Sequence, residues 1–216
     1  MDAITSARRT AGLAAAAVAA LLLVLGPASP ASADPPPPPG LSEARAQLAG
    51  LTVETEGSSS DYDRSLFPHW SAVEGNCNAR EYVLRRDGDD VRVGNDCYPT
   101  SGSWTSPFDG ATTSVPSEVS IDHMVALKEA WDSGADTWST SRRERFANDV
   151  STPQLWAVSA SSNSSKGDDD PAEWMPPRTA VHCAYAKSWI NVKHAWGLSV
   201  DSAEKGALEE LLGTAC

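Results

Sequence analysis

An apolar run from Leu13 to Leu25 opens the chain, preceded by Arg8 and Arg9 and followed by the small residues Ala31, Ser32 and Ala33. Positive charge, apolar stretch and small-residue cleavage site in that order predict a secretory signal over 1–33. The run is shorter than the roughly 20 residues that span a bilayer, so no membrane segment is expected once the signal is removed. Pro35 to Pro39 favours extended polyproline backbone, and 34–40 is expected to be a stiff proline-rich spacer. From Leu41 the pattern changes: Leu41, Ala44, Leu48 and Leu51 recur at helical spacing and predict a short amphipathic helix.

A second helix is expected over Asn76 to Arg86, then a turn at Asp87-Gly88-Asp89-Asp90 into the alternating strand Val91-Arg92-Val93. Gly102 to Thr105 and Ala111 to Val115 are strand candidates around the Asp109-Gly110 turn. Val119 to His123 reads as a strand, Val125 to Trp131 as a short helix, and Pro153 to Val158 as a second strand of the same small sheet. Between them, Ser141 with Glu144 three residues on reads as a capping box for a helix ending near Asn148. Two helices close the chain. Val181, Tyr185, Trp189, Val192 and Trp196 form the apolar stripe of the first, and Ala207, Leu208, Leu211 and Leu212 that of the second. The region 41–216 therefore reads as one domain of α+β class, small and mixed, with eight tryptophans available for its core.

Four cysteines in an exported chain, with no C-x-x-C pair, predict two disulfides rather than zinc or redox chemistry. Of three connectivities, Cys77 to Cys97 and Cys183 to Cys216 are expected, because each closes a modest loop inside one subregion. Such a loop contributes about 3 kcal/mol on chain entropy. The formal charge of −12 runs against a protein that binds nucleic acid by neutralising phosphates. A bound divalent cation changes that picture, because it supplies local positive charge where carboxylates alone repel the substrate.

The informative constellation is Ile121-Asp122-His123, then Leu155-Trp156-Ala157-Val158, then Asn163-Ser164-Ser165-Lys166-Gly167-Asp168. Phe146-Ala147-Asn148-Asp149, Pro171-Ala172-Glu173-Trp174, Cys183-x-Tyr185 and, upstream, Tyr62-Asp63-Arg64 and Cys77-x-x-Arg80 extend it. In these residues the sequence resembles the secreted HNH endonucleases, the exported bacterial branch of the ββα-metal nucleases. The resemblance implies a ββα-metal core over about 118–178 flanked by helices. It also implies hydrolysis of phosphodiester bonds in DNA or RNA, with His123 as general base and Asp122 and Asn163 as metal ligands.

The chemistry stands on its own terms. Histidine titrates near neutrality and can take a proton from water, while hard oxygen ligands suit Mg²⁺, or Mn²⁺ or Ca²⁺, better than a soft metal. Lys166, Arg80 and Arg64 are the cations expected near the phosphate. Gln154 stands where many HNH nucleases carry an asparagine that braces the loop holding the base, and a glutamine offers the same amide groups on a longer arm. Glu118 and Asp149 are candidates to orient the site. One tension remains: adjacent strand residues point to opposite faces, so Asp122 and His123 converge only if the strand ends or bulges there.

His182 and His194 are more than three helical turns apart and form no ligand pair on one helix, and His69 reads as a packed loop residue. No H-E-x-x-H, G-x-S-x-G or Walker loop is present, which removes the usual sequence support for zinc proteases, serine hydrolases and nucleotide-binding enzymes. The expected reading is a secreted, monomeric, metal-dependent endonuclease with nucleic acid as substrate. A disulfide-stapled cell-surface binding module and a secreted glycosidase are the alternatives.

Overall fold

The computed structural model describes residues 1–2 and 34–216, so the expected signal at 1–33 lies almost wholly outside the described residues. Helix α1, Leu41–Gly50, buries Ala44 and Leu48, the positions its apolar spacing selects. An extended stretch follows, in which Val53 bridges to Val200 in parallel. Two single 3-10 turns, Ser59–Asp61 and Arg64–Leu66, lead to strands β1 (Ala72–Glu74) and β2 (Cys77–Asn78).

Helix α2, Ala79–Asp87, starts three residues later than the periodicity suggests, because Cys77 and Asn78 are held in the β1–β2 pair. Asn78 caps it: its side chain accepts from the Glu81 amide at 2.9 Å, and the Glu81 carboxylate accepts from the Asn78 amide at 2.9 Å. Strands β3 (Asp89–Val93), β4 (Pro99–Thr105) and β5 (Thr112–Thr113) form an antiparallel sheet in that order. The expected turn before Val91 is absorbed into β3, where Asp89 pairs with Ser103.

Strand β6, Val119–His123, runs over the expected residues and is followed by helices α3 (Leu127–Asp132) and α4 (Thr140–Ala147). Ser139, not Ser141, caps α4 by accepting from the Arg142 amide, and Glu144 instead accepts from the Ser71 hydroxyl at 2.7 Å. Strand β7, Leu155–Ser159, pairs antiparallel with β6 and passes directly into helix α5, Ala160–Lys166. Helices α6 (His182–Trp196) and α7 (Ser202–Thr214) end the chain.

Two apolar clusters lie on either side of the β6–β7 pair. The larger gathers Phe67, Phe108, Phe146, Trp156, Tyr185 and Trp189; the smaller sets Val83, Leu84 and Trp104 against Val119, Ile121, Leu155 and Ala157. Each fully buried large side chain contributes roughly 1.5–3 kcal/mol, so the site-bearing pair is clamped from both faces. The disulfides join Cys77 to Cys97 and Cys183 to Cys216, tying β2 to the β3–β4 turn and α6 to the C-terminus.

The proline segment, expected as a stiff spacer, lies against the domain. Asp34 to Pro38 border a cavity of about 350 Å³ together with Asp87, Pro107, Trp156 and Val181, and Pro35, Pro36, Pro38 and Pro39 are half-buried. Apolar proline rings on an extended backbone gain contact there at little further cost in entropy.

Candidate active site

Strands β6 and β7 pair residue for residue from Val119 opposite Ser159 to His123 opposite Leu155. Directly opposed residues share a face. Asp122, opposite Trp156, therefore leaves toward the larger cluster, and His123, opposite Leu155, leaves toward the α2 side. The two adjacent side chains diverge as a regular strand requires, yet both border one pocket of about 370 Å³. Both residues border it because the pocket lies at the end of β6, where the strand stops at His123. Tyr62, Arg64, Lys128, Asn163 and Asp168 complete its polar wall.

His123 is 5% exposed, and its Nε2 lies 2.9 Å from the carbonyl oxygen of Ala147. A carbonyl only accepts, so Nε2 carries the proton and Nδ1 of the neutral ring keeps its lone pair. Ala147 is the last residue of α4, where carbonyls lack a helical partner, and the imidazole fills that vacancy. Burial pulls His123 down to about 3 against the Ala147 bond, which raises it, and the positive charges of Arg64 and Lys166 add to the fall. The ring is neutral at physiological pH. Trp70 packs against it at 5.7 Å between centroids, and Trp70 holds the left-handed backbone conformation with φ of 62°, costly for a bulky residue.

Asp122 is 3% exposed; burial pushes its carboxyl up to about 6, opposed by Lys166. The Lys166 ammonium lies 3.0 Å from Asp122 Oδ1 and also donates to the His123 carbonyl at 2.9 Å. Asp122 Oδ2 is buried and has no partner. Asn163, on α5, donates its amide NH₂ to the Ser120 hydroxyl at 2.7 Å, which leaves the amide oxygen outside that bond. Asp122, with its orphaned carboxylate oxygen, and Asn163 both border the pocket, and carboxylate and amide oxygens are hard donors of the kind that suits a divalent cation.

The remaining expected residues divide. Gln154 is fully buried and grips the loop after β6 through both backbone groups of Val125, accepting from its amide at 3.1 Å and donating to its carbonyl at 2.9 Å. Arg64 stands in the pocket wall and has no carboxylate ion pair among the described residues. Lys166 is fully buried beneath the pocket rather than in its wall. Arg80 does not reach the pocket either: it donates to the Val119 carbonyl at 2.8 Å and ties α2 to the start of β6. Glu118 accepts from the Thr113 hydroxyl at 2.6 Å and borders a different cavity. Asp149 accepts from Ser151, Thr152 and Trp196, which fixes the turn after α4.

Sequence reasoning missed Lys128, whose ammonium lies 3.1 Å from Asp132 and 2.8 Å from Asp168 across the pocket wall. The i, i+4 spacing of Lys128 and Asp132 was the available signal. It also missed the Ala147 carbonyl, a backbone atom that no residue type announces.

Residues 75–211 match the family described as "GmrSD restriction endonucleases, C-terminal domain". That match covers more than half of the chain, and the chain belongs to this family. It is also 52% identical over 173 residues to an "Uncharacterized secreted protein" of Arthroderma benhamiae (strain ATCC MYA-4681 / CBS 112371), covering 80% of this chain and 85% of that one. No solved structure matches. The domain is of nuclease type, and the two disulfides and the secreted relative agree on a secreted, extracellular protein. No helix among the described residues is long and apolar enough to cross a membrane.

Proposed function

We propose that this protein is an extracellular, metal-dependent endonuclease of the HNH type, in which β6, β7 and α5 form the ββα-metal core. The observation that carries the reading is the meeting of Asp122, His123 and Asn163 on one pocket, with the His123 proton committed to Ala147 at Nε2. In this reading Nδ1 of His123 takes the proton of the attacking water. The Ala147 carbonyl, at the negative end of α4, then stabilises the imidazolium as it forms. A depressed pKa suits this task only while substrate is bound, because the phosphate's negative charge raises the basicity of a buried imidazole beside it.

Asp122 Oδ2 and the Asn163 amide oxygen would hold a divalent cation, most simply Mg²⁺ with Mn²⁺ or Ca²⁺ as alternatives. When bound, such an ion supplies positive charge to the phosphoryl oxygens. Arg64, in the pocket wall, would pair with the phosphate, and Lys128, shared between two carboxylates, would hold the wall. Gln154 keeps the loop after His123 in position. The substrate is DNA, RNA or both, met through phosphate rather than through base edges, and the chain acts as a monomer.

The test is cleavage of plasmid DNA and structured RNA by the exported chain with Mg²⁺, Mn²⁺ or EDTA, alongside His123→Ala and Asn163→Ala. Cleavage that needs metal and collapses in both variants supports the reading. Equal inertness of wild type and His123→Ala across all metals and substrates replaces it with the disulfide-stapled binding module.

A further inference from the structure

The Phe146-Ala147-Asn148-Asp149 run at the end of α4 holds more than one edge of the His123 ring. Ala147 takes the Nε2 proton through its carbonyl, and Asn148, the next residue, is buried and grips a loop from another part of the chain. Its Oδ1 accepts from the Ser71 amide at 2.8 Å and its Nδ2 donates to the Pro68 carbonyl at 2.9 Å. One side chain thus clamps the backbone on both sides of His69 and Trp70. Glu144 accepts from the Ser71 hydroxyl at 2.7 Å, Arg143 donates to the Leu66 carbonyl at 2.9 Å, and the Ala79 amide donates to the Ser71 carbonyl at 3.0 Å. Inside this clamp Trp70 keeps its φ of 62°. A bulky residue persists in that region only where its surroundings over-determine it, and such strain gathers at functional sites.

What the clamp presents is the Trp70 indole against the His123 imidazole. Their centroids are 5.7 Å apart and their planes 32° apart, nearer to an offset stack than to an edge-on contact. His69, whose Nδ1 lies 2.9 Å from the Phe67 carbonyl, meets the indole at 78° with centroids 5.5 Å apart and adds a second contact to it. Trp70 does not border the pocket, which leaves the imidazole as its route to the chemistry. The Ala147 bond alone leaves that ring loose. Nε2 lies close to the extended Cβ–Cγ axis of the side chain, so rocking about this bond moves Nε2 little and swings Nδ1 further. The torsion is broad for histidine, whereas a reacting group must be held to within about 10–20°.

We propose that Trp70 is a positioning residue for His123: its indole, clamped in place by Asn148, limits rotation of the imidazole about Cβ–Cγ and so fixes the direction of Nδ1. The inference rests on the reading of His123 as the base and gives two adjacent residues a joint task. Ala147 sets which nitrogen carries the proton, and Asn148, through Trp70, sets where the other one points. Packing volume alone does not achieve this, because an aliphatic chain fills space without a flat surface to lie along the ring.

The experiment compares Trp70→Leu and Trp70→Phe with wild type on the exported chain. Both variants keep an apolar side chain and meet the same backbone demand, and they differ in the flat face. Trp70→Gly, which relieves the left-handed backbone, takes the place of Trp70→Leu if that variant does not fold. NMR relaxation reads the order of the His123 ring in EDTA, and single-turnover cleavage in Mg²⁺ reads its consequence. Trp70→Leu is expected to lower the ring order parameter and to cut the rate at saturating nucleic acid by about tenfold or more, with half-saturation shifted by less than about threefold. Trp70→Phe is expected to keep the ring ordered and the rate within about threefold of wild type. Wild-type ring order in Trp70→Leu, a wild-type cleavage rate in that variant, or equal impairment of Trp70→Phe would overturn the proposal. If wild type cleaves nothing, the nuclease reading fails, and ring order alone then decides whether Trp70 orients His123.

Discussion

Lys166 shows how far a residue's type can mislead about its place. It lies three positions after Asn163 on α5, hence on the same side of the helix, and from sequence it reads as a cation for the phosphate. In the fold it neutralises Asp122 from within the core. Lys166→Met is therefore expected to leave a buried carboxylate unpaired and to cost about 3–5 kcal/mol of stability. Urea unfolding checks this, and adding Asp122→Asn is expected to recover part of the loss; an unchanged midpoint in Lys166→Met would contradict the pairing. Gln154→Leu is expected to orphan both backbone groups of Val125 at about 1–3 kcal/mol each, and to slow cleavage more than it raises KM. That Asp122, His123 and Asn163 would come together at one pocket was legible because one motif carries all three. Trp70 and the Ala147 carbonyl were not, since each enters through tertiary contact from a segment distant in sequence, and Lys128 was passed over although its i, i+4 spacing to Asp132 was there to read.

At the scale of elements, β6 was readable from the alternation of Val119 and Ile121 with polar residues, and β7 from the apolar run Leu155 to Val158. The start of α4 was not, because Ser139 and Ser141 are equally good caps by type. What selects Ser139 is packing: Trp138, just before it, must lie against Phe146 and Trp196, and that fixes where the helix begins. The first half of the chain between α1 and β6 was less legible, since its strands are short, polar and stabilised chiefly by pairing with one another. Cys183 and Cys216 join the start of α6 to the end of α7 across 33 residues. Replacing both with alanine is expected to cost about 2–5 kcal/mol, measured by thermal or denaturant unfolding. The proposed active-site pocket, built by other elements, should keep its cleavage activity below the new melting transition.

At the scale of the molecule, acidity governs both stability and approach to substrate. Burial pushes Glu204 up to about 7 from 4.5, against the pull of Lys193. The native state therefore holds that proton more tightly than the unfolded state. Its contribution is fully present below about pH 4.5 and is lost as pH rises through about 7; the raised values of Glu56 and Asp122 act in the same direction. The depressed His123 acts the other way, adding stability as pH rises toward 6.5, but three raised carboxyls outweigh one lowered imidazole. In EDTA the urea midpoint is therefore expected to fall between pH 5 and pH 8, and a midpoint that rises over that range would contradict these burial assignments. With a charge of −12 and Arg64 as the one pocket-wall cation without a carboxylate partner among the described residues, few phosphates are neutralised on binding. Substrate affinity should then follow log salt with a slope of only about −1 to −2, far shallower than for a basic nucleic-acid binder.

The central claim, that His123 is the base of a metal-dependent phosphodiester cleavage, is tested most directly by single-turnover cleavage of plasmid DNA and structured RNA. Wild type and His123→Ala are compared in Mg²⁺ or Mn²⁺ after circular dichroism has established equal folding. The account predicts at least a hundredfold lower rate in His123→Ala and no cleavage by either protein in EDTA. A folded His123→Ala variant that cleaves at the wild-type rate would contradict it.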